Sequence, residues 1–131
     1  MDTRRFFIPC LLMFFCILLG AFGAHGLKPL VSSEKLASYE TAVRYHFYGT
    51  TGIFILLFIE QFSSVSLLLS RRLMLIGTCL FAGSVYLLVL VPAAGIDSGS
   101  VRWLGPVTPM GGSLLMLAWL SAGIRMWKKN Q

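Results

Sequence analysis

Two histidines, His25 and His46, are the only imidazoles in a chain of 131 residues, and each stands beside polar or aromatic company. Imidazole titrates nearest neutral pH and is the commonest metal ligand among side chains. The spacing places His25 at the end of one apolar run and His46 at the start of the next, with Glu40, Arg44 and Tyr45 just before the second. Two imidazoles at similar depth can ligate haem or a metal, or relay protons with Glu40. Together with Trp103 they form a candidate polar or ligand site for a quinone, a lipid headgroup or haem. The structural alternative is that each ring bonds carbonyls exposed at a helix end, where a Gly- and Pro-rich connection leaves backbone groups unpaired. The chain has neither HxxxH nor CxxC spacing, so no metal, cofactor or catalytic residue is assigned.

The elements that must position these residues are membrane spans. Hydrophobic residues make up 56% of the chain and charged residues 12%. Mean hydropathy is +0.79. A soluble domain this small needs a far more polar surface. Four runs, 6–24, 45–62, 73–91 and 109–127, approach or match the roughly 20 apolar residues that cross a hydrocarbon core. The expected fold is therefore all-α, an integral membrane protein of four transmembrane helices in one compact bundle forming a single domain. The first run also has features of a cleavable signal, with Arg4 and Arg5 ahead of it and "AFGA" at its end, but it is long for a signal h-region.

Basic flanks set the orientation. Arg4, Arg5, Arg71, Arg72, Arg125, Lys128 and Lys129 fall on one side of the predicted topology, and Lys28, Lys35, Arg44 and Arg102 on the other, offset by Glu34, Glu40 and Asp97. Both termini are expected in the cytoplasm of a bacterial inner membrane, or in the matrix if the membrane is mitochondrial. The formal charge of +6 is then mainly a topology signal with some attraction to anionic lipid. Nucleic acid is not an expected partner.

Local signals refine the helices. Ser32 or Ser33 can cap a helix that runs on into span two, and Thr108 before Pro109 suits an N-cap followed by a first-turn proline. Gly20 with Ala24 forms a small-xxx-small pair, and Gly23, Gly49, Gly52, Gly77, Gly83, Gly111 and Gly112 give the helices further small patches. In lipid such patches let backbones approach closely, so tight packing is expected at all of them, including Gly83. Glu60 is expected to pair with Arg71 or Arg72. Thr50, Thr51, Thr78, Ser84 and Tyr86 read as hydrogen-bonding glue between or within helices. Cys10, Cys16 and Cys79 show no paired spacing and behave as small hydrophobes.

The stretches "GAFGAHGL", "YETAVRYHFYGTTG", "FAGSVYLL" and "WLGPVTPMGGSLLMLAWL" occur in the order and spacing of a known family. The chain resembles the bacterial domain-of-unknown-function 423 membrane proteins, which are related to eukaryotic transmembrane protein 256, over almost its whole length. The resemblance implies a small integral inner-membrane protein with four helices and brings no established activity with it. Two function classes follow. The first is a non-catalytic accessory, assembly or lipid-interacting subunit, partnered by the bilayer and by a larger membrane complex or further copies of itself. The second is a small-molecule protein using an outer-side pocket near His25 and His46.

Overall fold

The computed structural model describes residues 3–129, and within them the chain is helical with short connections. A single 3-10 turn, Thr3–Phe6, leads into α1, Phe7–Phe22, which continues as a π-helical turn over Gly23–Leu27. Then follow α2, Ser33–Ser63, and α3, Leu68–Ala93. A 3-10 segment, Ser98–Leu104, leads to α4, Val107–Lys129. All four helical stretches are long and apolar enough to cross a membrane.

Each helix packs chiefly on its neighbour in sequence, α1 on α2, α2 on α3 and α3 on α4. The middle helices therefore hold most of the core. One core cluster joins Leu56 and Leu57 of α2, Met74 of α3 and Ala118 and Ala122 of α4. The other, nearer the opposite end, joins Leu27, Tyr39 and Ala42 to Ala82, Tyr86 and Val89. The outer helices keep broad apolar faces, with Phe7, Phe14, Leu18 and Phe22 exposed on α1 and Met116, Leu120 and Trp127 on α4. In a bilayer those faces meet lipid tails, which are as apolar as the side chains themselves.

The helix ends match the local sequence signals in part. Ser32 caps α2, its Oγ accepting from the Lys35 N–H at 3.4 Å, and α2 runs unbroken into the span as expected. α2 is continuous from Ser33, and its Tyr39 and Ala42, ahead of the expected span at 45–62, lie in the core. Thr108 does not cap α4: the helix starts at Val107, and the Thr108 hydroxyl bonds that of Ser84 at 2.7 Å. Pro109 lies within the first turn, where a missing N–H is harmless. Pro92 sits one residue before the end of α3, so it removes little of the ladder.

The α2–α3 turn is fastened by a carboxylate. Glu60 Oε1 accepts the Leu67 N–H at 2.5 Å, and its Oε2 lies 2.6 Å from Arg71 Nε. The second contact is an ion pair whose atoms are close but poorly aligned for a hydrogen bond. Of the two expected partners, Arg71 is the one engaged. Ser64 completes the turn at φ 53°, the left-handed conformation in which helices commonly end.

The glycines divide sharply. At Gly111 a Cβ would land on the Phe81 backbone, and at Gly49 on the Thr78 side chain, so these residues permit the closest helix approaches. At Gly77 a Cβ would come 3.0 Å from the Gly111 carbonyl, at Gly23 2.5 Å from the Tyr39 ring, and at Gly52 2.9 Å from Met74. Gly20 meets Val43 at 3.3 Å, and Gly112 has only ordinary contact with Phe81 at 3.5 Å. Gly83 departs from expectation: nothing lies within 4 Å of its would-be side chain, so it leaves space rather than allowing contact. Ala24 is exposed and does not extend the Gly20 contact.

Candidate functional site

The two histidines occupy different environments. His25 is exposed on the π-helical turn, and its Nδ1 stands 3.2 Å from the Ala21 carbonyl one turn earlier. There it donates to a carbonyl near its own helix end, as the structural alternative required. His46 is 6% exposed, and its Nδ1 lies 3.2 Å from the Tyr86 hydroxyl on α3. Burial and this partner set His46 within the helix packing rather than on an exposed face. The short α2–α3 turn fixes the register: seventeen residues back from Ser63 is His46, and seventeen on from Leu68 is Val85, next to Tyr86. His46 thus packs against the interior of α3, and the two imidazoles have different partners.

The other candidates also disperse. Glu40 and Arg44 are exposed on α2 and do not join the His46–Tyr86 pair. The Tyr45 ring stacks on Phe81 at 4.5 Å and faces a second cleft, lined also by Met74 and Trp119. Trp103, 69% exposed, donates its indole N–H to the Ser100 carbonyl at 3.1 Å within the 3-10 segment between α3 and α4. Tyr45 and His46 thus line different clefts. Among the described residues, no three His, Cys, Asp or Glu side chains come together as a metal-binding group.

What the structure assembles instead is a ladder of polar bonds between helices. Tyr39 of α2 donates to the Leu19 carbonyl of α1 at 2.8 Å, and its ring lies 5.1 Å from that of Tyr86. The Ser70 and Ser121 hydroxyls, on α3 and α4, are 2.7 Å apart. Ser84 and Thr108 repeat that link at the other end. On the basic side the Arg125 guanidinium donates to the Ser66 carbonyl at 3.1 Å, tying α4 to the α2–α3 turn. Thr78 returns its hydroxyl to the Met74 carbonyl at 2.7 Å, as expected of a helical threonine. Thr50 and Thr51 depart from that pattern, their hydroxyls being buried without a partner.

Sequence reasoning singled out Tyr86 as needing a partner but did not name His46. Counting outward from the α2–α3 turn supplies that missing signal. Tyr39, which bonds α1 and packs its ring near Tyr86 of α3, is a link that sequence reasoning missed.

Comparison with known proteins agrees with the membrane reading. The family described as "Protein of unknown function (DUF423)" matches residues 19–112. A UPF0382 membrane protein of Staphylococcus haemolyticus is 35% identical over 109 residues, 83% of each chain. Another, YwdK of Bacillus subtilis, is 35% identical over 104 residues, 78% of each chain. A third, from Haemophilus influenzae, is 30% identical over 130 residues, 99% of this chain and 98% of its relative. No solved structure matches. With four membrane-length helices and a match of this extent, the chain belongs to the DUF423 family of membrane proteins.

Proposed function

We propose that the protein is a non-catalytic subunit of the bacterial inner membrane, an accessory or assembly component that engages lipid and a larger membrane complex, with both termini in the cytoplasm. The observation that carries this reading is the use made of its polar side chains. His25, Tyr39, Glu60, Ser70 and Ser84 each bond a helix end or a neighbouring helix, the roles of structural glue. The face offered to the surroundings is apolar, and α1 carries a large share of it, with Phe7, Phe14, Leu18 and Phe22 all exposed. Packing in lipid relies on shape and small contacts rather than on the hydrophobic effect, so a partner helix can seat on such a face without displacing water.

The competing reading, a small-molecule pocket at the outer end shared by His25 and His46, draws less support because the two rings keep separate partners. Native electrophoresis after mild solubilisation separates the two. Comigration with a larger assembly, weakened by Phe14→Ala with Leu18→Ala, is the expected result. Migration as an isolated subunit carrying a chromophore would reverse the conclusion.

A further inference from the structure

A cavity of about 210 Å³ lies between α1 and α3, with His46 of α2 beneath it. Leu12 and Leu19 form one wall, and Thr78, Gly83 and Tyr86 belong to the other. Its depth is central, since Ala82, which also lines it, is the midpoint of the run 73–91. Its side is open. Gly83 presents no side chain, nothing lies within 4 Å of where one would begin, and Cys79 on the same face of α3 is exposed. The gap therefore opens sideways, where the surroundings are acyl chains.

We propose that this cavity binds a flat ring bearing a hydrogen-bonding carbonyl, the chemistry of a quinone headgroup, admitted laterally from the bilayer. Size comes first. An apolar cavity of roughly 150 Å³ takes one benzene ring, so the observed volume holds a substituted six-membered ring. Polarity comes second. Almost all of the lining is apolar, with His46, Tyr86, Thr78 and the Cys79 thiol as its polar residues, of which His46 and Tyr86 are paired, which matches the usual plan of an apolar site with a few fixed polar groups.

Hydrogen counting supplies the third step. A neutral imidazole and a phenol bring two hydrogens, one N–H and one O–H, and their mutual bond uses one. The other is left on the far ring nitrogen or on the tyrosine oxygen, according to the tautomer. In the first case the Leu12 backbone is a neighbouring acceptor, shared with its own helix; in the second the hydrogen stays on the Tyr86 oxygen, which lines the cavity. A ligand carbonyl would give that hydrogen an undivided acceptor. This site is independent of the accessory role, and it shares His46 but not His25 with the pocket expected from sequence.

The test uses the purified full chain in detergent with two probes, decylubiquinone and decylbenzene, which share a tail and differ in the carbonyl-bearing ring. Titration calorimetry should show the wild type binding the quinone about tenfold more tightly, the equivalent of one hydrogen bond. His46→Phe and Tyr86→Phe should each bring that ratio close to one. Gly83→Leu, whose Cβ has nothing within 4 Å and whose longer side chain would occupy the mouth, should abolish binding of both probes while the protein still folds. If His46→Phe fails to fold, Tyr86→Phe answers the same question. Equal wild-type affinity for the two probes would make the gap an acyl-chain slot and overturn the proposal. So would undetectable quinone binding, or binding unchanged by Gly83→Leu.

Discussion

At the scale of the residue, burial separates two histidines that look alike in the sequence. Replacing His46 by leucine leaves the buried Tyr86 hydroxyl without its partner, a loss of about 1–3 kcal/mol. Tyr86→Phe should cost less than His46→Leu, since it removes only one hydroxyl. A double-mutant cycle on reversible unfolding in mixed micelles should return a coupling above about 0.5 kcal/mol for this pair, which is in direct contact. His25→Leu falls on an exposed ring whose one bond is to its own helix, so its effect should stay within about 0.5 kcal/mol. The His25–His46 cycle should show no measurable coupling, and a clear coupling there would restore the shared-site reading. The residue types that could do chemistry were legible in the sequence. Their partners were not, because a partner 40 residues away depends on helix register, and register was not extracted from the length of the α2–α3 turn.

At the scale of the element, small residues have opposite meanings depending on what faces them. Gly111 lets α4 reach the Phe81 backbone, so Gly111→Ala gains helix propensity of about 0.5–1 kcal/mol but incurs overpacking of about 1–3 kcal/mol. The second effect is the larger, and the melting temperature in detergent should fall. Gly83→Ala has only the first effect and should leave the melting temperature unchanged or raise it. A fall at Gly83 matching that at Gly111 would mean that α1 lies closer to α3 than the structure has it. The number and approximate limits of the helices were legible from apolar run length alone. Which glycines meet a neighbour was not, because that depends on helix rotation, and glycine spacing repeats on several faces at once. Thr108 illustrates the same limit: its local sequence suited a cap, but a hydroxyl on α3 took the bond instead.

At the scale of the whole molecule, the chain is a series of helices each leaning on the next, with polar links inside and apolar faces outside. The basic residues Arg71, Arg72, Arg125, Lys128 and Lys129 gather where the α2–α3 turn meets the end of α4. A reporter fused after Gln131 should therefore read as cytoplasmic and one inserted at Ser98 as external, and the reverse pattern would invert the proposed orientation. The central claim is that this protein works as a subunit, holding its own helices together through buried polar pairs and offering α1 to another membrane component. Native mass measurement of the protein extracted directly from its membrane into lipid nanodiscs tests it most simply. The account predicts particles whose protein mass exceeds the 14.5 kDa of one chain, reverting toward that mass when Phe14 and Leu18 are both replaced by alanine. Particles that hold a single chain with lipid alone, in wild type and variant alike, would contradict it.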